Sequence, residues 1–204
     1  MEVWHWDDPR IKPHEKKAWE EEKDRGLRAV LHLDRMEVVP LAREDLPRVI
    51  PAENPRRVLG LDETPWRKVM TWEGFFSDIW LLDLETGERA LIARRSHDER
   101  SLSLSPGGSY VVWFQDGHWH LHDGETARSR NLSEGLETGF ADEDHDYPGP
   151  APGYGSAGWL EDDAGVILYD KYDLWLFSPA GEPRRLTRGR EEGRTYRFVD
   201  LDPD

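Results

Sequence analysis

The chain has 204 residues, 42 acidic against 27 basic side chains, a formal net charge of −15 and no cysteine. The excess of carboxylates argues against binding to nucleic acid or an anionic membrane surface, both of which need clustered Lys and Arg. The lack of cysteine excludes disulfides, thiolate metal sites and thiol nucleophiles.

In chain order, residues 1–8 (MEVWHWDD) alternate and predict a strand with Trp4 and Trp6 on one face. Residues 13–25 predict a short helix. Pro13 suits its first turn, Lys16–Glu20 and Lys17–Glu21 stand four apart, and Ala18 and Trp19 are the residues able to anchor it. Residues 28–42 (RAVLHLDRMEVVPLA) read as strand, turn and strand. Residues 43–57 carry three prolines and read as a connection, and residues 67–72 (RKVMTW) read as a short strand.

One pattern is then written three times. Residues 77–93 (SDIWLLDLETGERALIA), 116–133 (DGHWHLHDGETARSRNLS) and 171–187 (KYDLWLFSPAGEPRRLT) each place a tryptophan (Trp80, Trp119, Trp175) early in a strand. A tight polar turn and a second short strand follow in each. Residues 103–114 and 159–170 supply a turn and a β-branched, aromatic run ahead of the second and third copies. A lone hairpin cannot bury its own apolar face, so repetition of this kind predicts sheets stacked side by side. The 39 residues from Trp80 to Trp119 fit a propeller blade of roughly 40–50 residues. The longer interval to Trp175 accommodates a Gly-, Pro- and acid-rich insertion at residues 134–156, long enough to be functional, tied down by packing, or mobile. Residues 196–201 read as the opening strand of a further blade.

These readings predict an all-β chain of β-propeller-type repeats of antiparallel sheets, three to four blades, with one short N-terminal helix. The whole of 1–204 is expected to form a partial β-propeller, with blade-like units at about 1–57, 58–95, 96–135 and 152–204. Trp80, Trp119 and Trp175 are expected to pack between sheets as the structural repeat. No run approaches the ~18 apolar residues of a spanning helix. The start, MEVWHWDDPR, lacks the basic region and apolar core of a signal peptide.

Two clusters invite a metal. In HWHLH, residues 118–122, the three imidazoles share one strand face. Successive ones, such as His118 and His120, stand ~6.6 Å apart at the backbone, so two at most meet on one Zn²⁺. Asp142, Glu143, Asp144 and Asp146 offer hard oxygens suited to Ca²⁺, but without the glycine that a twelve-residue calcium loop needs. Neither set is complete, and no cofactor is expected.

The order VWHWDDPRIKP (3–13), DIWLLDLETGE (78–88), SLSPGGSYVVWF (103–114), DEDHDYPGPAPGYGSAGW (142–159), YDKYDLWLFSP (169–179) and PRRLT (183–187) resembles the β-propeller region of bacterial prolyl oligopeptidase-like serine peptidases. The SPGG turn and the D-x-x-T-G hairpin also resemble TolB-like propellers. The resemblance implies a propeller that caps a catalytic α/β-hydrolase domain. This chain has no G-x-S-x-G elbow: Ser105 precedes Pro106, and Tyr154 stands where the leading glycine would precede Ser156. The expectation is therefore a non-catalytic segment with no catalytic residues, which gates or positions peptides for a parent hydrolase. The alternative is a free-standing TolB-like module for protein–protein interaction. Expected partners are the hydrolase domain or remaining blades of the parent, or a second copy joined through open edge strands.

Overall fold

The computed structural model describes residues 5–54, 56–199 and 201. The chain forms two compact units, one from residues 1–51 and 58–95, the other from residues 52–57 and 96–204.

In the first unit, residues 5–8 form a turn in place of the expected strand, closed by the Asp8 amide on the His5 carbonyl. Trp6 is 89% exposed; Trp4 lies outside the described residues. Helix α1 spans Lys12–Glu22 with Pro13 in its first turn. Trp19 does not anchor it: this indole is exposed to water, and of the two expected anchors only Ala18 is half-buried. The tie is ionic, with Arg10 bonded to Glu22 and Glu63. Strands β1 (Ala29–His32) and β2 (Glu37–Pro40) make an antiparallel hairpin in which Leu31 faces Val38 and Val30 faces Val39.

Four strands follow in one sheet, in the order β3 (Arg48–Ile50), β4 (Arg57–Asp62), β5 (Ser77–Asp83), β6 (Arg89–Ser96). Two expectations are corrected here. Residues 43–57 are not all connection, because β3 forms within them. Residues 67–72 are not a strand but helical turns, in which the Val69 amide bonds the Trp66 carbonyl and the Trp72 amide bonds that of Val69. The preceding strand is RVLGLD (57–62), whose central Val58, Leu59, Gly60 and Leu61 are buried. The loop from β4 to β5 is drawn inward by Trp66, whose indole N–H donates to the buried Asp78 at 2.8 Å. Gly60 is required: a Cβ there would stand 2.8 Å from methyls of Leu46 and Leu82, both fully buried.

The second unit holds two further four-stranded sheets, each a run of antiparallel neighbours in sequence order. The first is β7 (Ser103–Leu104), β8 (Tyr110–Gln115), β9 (His118–Asp123) and β10 (Arg128–Asn131). The second is β11 (Ser156–Trp159), β12 (Val166–Tyr169), β13 (Leu174–Phe177) and β14 (Arg184–Arg185). A single-turn helix, α2 (Gly189–Glu192), follows. No strand forms at residues 196–199, where the opening of a further blade is expected. The Tyr196 amide instead bonds the Tyr172 carbonyl, and the Phe198 amide bonds the Tyr169 hydroxyl.

Three four-stranded meanders, each a consecutive up-and-down sheet, are propeller-type blades. The two in the second unit stack through one core. β8 and β9 contribute Val112, Phe114, Trp119 and Leu121; β12 and β13 contribute Val166, Leu168, Trp175 and Phe177. Phe140 of the long loop closes this core, edge-on to Trp175 and Phe177 at 5.8 Å. The loop is tied down further along, where the Gly153 amide bonds Asp98 and residues 141 and 153 form a bridge.

Candidate interaction surface

The turns before β8 and β12 are clasped together. Asp163, 7% exposed, accepts hydrogen bonds from the Ser105 hydroxyl (2.8 Å) and the Gly107 amide (2.7 Å). Burial pushes its carboxyl up, but the bonds from Gly107, Ser105 and Ser109 outweigh this and hold it below the usual carboxylate range. The same SPGG turn meets Asn54 on its other side. There, Gly108 has a positive φ of 75°, and a Cβ would stand 2.5 Å from the Asn54 amide oxygen. The hairpins at the ends of β5 and β9 share a device of their own. Asp83 Oδ1 accepts from the amides of Glu85 and Thr86, and Asp123 Oδ1 from those of Glu125 and Thr126.

That device and the hydrogen bonds to each sheet's last strand set the three tryptophans in register. Each lies on the third strand of its sheet, but they do not occupy one repeated position. Trp119 donates its amide to the Ser133 hydroxyl and accepts from the Leu132 amide; Leu174 does the same with Thr187 and Leu186. Trp119 is thus matched by Leu174, and Trp175 by His120. Counting back from the matched turn residues Asp83 and Asp123, Trp80 also aligns with His120. Trp119 and Trp175 still reach one core, because stacked sheets present opposite faces to each other. Trp119 is wholly buried and Trp175 is 9% exposed. Trp80 is half-buried, with the Arg89 guanidinium 5.2 Å over its ring.

The metal candidates are separately engaged. His118 Nδ1 lies 3.1 Å from the Ser133 hydroxyl. His120 stacks on Trp113 with ring centroids 5.1 Å apart. His122, which shares that face, is buried, with Nδ1 2.9 Å from the Ser129 hydroxyl. Burial holds the pKa of His120 and of His122 below the ordinary imidazole value. Asp142 caps its own loop at the Asp144 amide, Asp144 pairs with Lys171 at 3.0 Å, and Asp146 is exposed. Among the described residues, no group of three or more His, Asp or Glu could hold a metal ion. Nor is any helix among them long and apolar enough to cross a membrane.

The unusual surface belongs to the β1–β2 hairpin. Its inner face packs down: Val39 is buried, His32 Nε2 lies 3.0 Å from the Leu84 carbonyl, and a Cβ on Gly87 would stand 2.8 Å from Val39. Its outer face and turn are apolar and open, with Leu31 48% and Val38 60% exposed on the strands and Leu33 and Met36 each 74% exposed in the turn. In the second unit the corresponding kind of face is covered by the next sheet. Exposed clusters of this sort mark interaction sites. Strand periodicity at residues 28–42 predicts the hairpin, but nothing local signals that its outer face lacks a cover.

Among solved structures, the chain is similar to TolB from Acinetobacter baumannii, with a TM-score of 0.42 and 16% identity over 78% of this chain and 37% of that one. It is similar to a nidogen/laminin complex (TM-score 0.42, 12% identity, 79% of this chain and 56% of that one). An oligogalacturonate lyase in complex with manganese gives a TM-score of 0.28 and 14% identity over 81% of this chain and 60% of that one. The chain spans less than two thirds of each of these. No protein-family model and no curated protein matches it. The blade assignment rests on strand order and register.

Proposed function

We propose that this chain is a non-catalytic blade module that works by docking. Its outer hairpin face receives a further antiparallel sheet with large apolar side chains, as β12 and β13 receive the face of β8 and β9. The observation that carries this is the open face of Leu31 and Val38, with the exposed turn residues Leu33 and Met36, on a hairpin whose other face is packed. Burying apolar surface contributes about 25 cal/mol per Å², so such a face is strongly favoured to find a cover.

In its finer form the proposal follows the resemblance to prolyl oligopeptidase-like peptidases. The covering sheet is then another blade of a parent protein, and the completed ring restricts access to a hydrolase domain, admitting short flexible peptides. The lack of a nucleophile elbow supports a scaffold role for this segment. The TolB-like alternative, an independent module for protein interaction, uses the same face.

Sedimentation velocity tests the docking. With no parent blade present, a second copy is the available cover, so the chain self-associates, and Leu31→Lys with Val38→Lys makes it monomeric with unchanged circular dichroism. A wild-type chain that stays monomeric at high concentration overturns the reading. The scaffold role is overturned by turnover of a peptide or ester substrate that one Ser→Ala change abolishes.

A further inference from the structure

The first unit contains a cavity of about 620 Å³, a size typical of ligand sites. It is walled by α1, the stretch leading into β1, the edge strand β3, and the end of β4 with the loop beyond it. Its charge runs against that of the whole chain. Among the described residues five cations line it (Arg10, Lys17, Arg25, Arg28 and Arg67) beside Arg48, which has a partner of its own, against three carboxylates, Glu22, Asp62 and Glu63, in a protein with a net charge of −15.

The carboxylates are already committed. Glu22 and Glu63 both bond Arg10, Glu63 bonds Arg67, and Glu22 reaches Arg25 at 3.7 Å. Asp62 caps the Thr64 amide. No salt bridge joins Lys17 or Arg28 to an acid among the described residues. Gathering cations around one cavity costs self-repulsion, which an anionic ligand removes, and guanidinium groups bind carboxylates in paired geometry. Val49, Leu61, Met70 and Phe75 add apolar surface to the lining. β3 is the edge of its sheet, where an extended peptide can add as a further strand.

We infer that this cavity binds a short acidic peptide, its carboxylates held by Arg28 and Lys17 and its apolar side chains against Val49, Leu61, Met70 and Phe75. This goes beyond the docking reading and stands independently of it.

Isothermal titration calorimetry with the full chain tests it, using acetyl-Glu-Glu-Leu, the Gln-Gln-Leu amide and inorganic pyrophosphate. The monomeric hairpin variant gives the same result, so failure here is separable from failure of docking. The acidic peptide should bind at least about tenfold more tightly than the neutral one and weaken as salt rises. Arg28→Gln with Lys17→Gln should lower its affinity by about tenfold or more. Both residues lie outside the packed core, and an unchanged unfolding transition checks the fold. Equal or no binding of the two peptides, an unaltered affinity in the double variant, or binding of pyrophosphate alone would overturn the assignment.

Discussion

Replacing Asp163 by alanine tests whether the turn clasp holds the two sheets of the second unit together. The carboxylate accepts two short bonds, from the Ser105 hydroxyl and the Gly107 amide, and a long one of 3.4 Å from the Ser109 amide. A hydrogen bond to a charged group contributes about 1.5–3 kcal/mol. The long bond adds little, and the Gly107 amide, only partly buried, regains some solvation from water. The expected loss is therefore about 2–4 kcal/mol. Asp163→Asn keeps one acceptor oxygen and should lose about half as much. Urea unfolding should move the midpoint without changing the slope. The folded carboxyl titrates below its ordinary value. The contribution is thus complete above the unfolded pKa of about 3.9 and disappears as pH falls through the folded one. The gap between wild type and Asp163→Asn should accordingly be constant from neutrality to about pH 5 and close below about pH 4. An alanine variant within about 0.5 kcal/mol of wild type, or a gap that widens on acidification, would refute the reasoning.

Trp119→Ala should destabilise by about 3–5 kcal/mol, and Trp80→Ala by clearly less, since Trp119 fills the shared core and Trp80 is half-buried; paired thermal melts compare them. Gly60→Ala should cost about 1–3 kcal/mol by overpacking against Leu46 and Leu82, read from the denaturation midpoint. His122 titrates below its ordinary value because burial disfavours the charged ring. Its contribution to stability is therefore present above the unfolded pKa of about 6.5 and is lost as pH falls through the folded value. NMR titration of its ring protons should place the midpoint below that of an exposed histidine, and His122→Asn should flatten stability between about pH 7 and 5.

Much of the blade architecture was legible because strand periodicity and turn chemistry are local. The D-x-x-T-G turn near Asp83 and the SPGG turn near Gly108 both form where their residues stand. What escaped depended on distant partners. The segment RKVMTW has the composition of a strand, but the Trp66 indole bonds Asp78 and pulls the loop into helical turns. The tryptophans looked like one repeated position because spacing along a chain does not show which side of a sheet a residue meets. The hydrogen bonds at Trp119 and Leu174 expose the one-residue offset. The cationic cavity was invisible for the same reason, its arginines being scattered from position 10 to position 67.

That offset has a further consequence. A sheet whose front accepts the back of its neighbour carries no instruction to stop. The number of blades in such an array is then set by the angle each sheet adds and by whatever caps the first and last, so lengthening or shortening it by duplication leaves every internal seam intact.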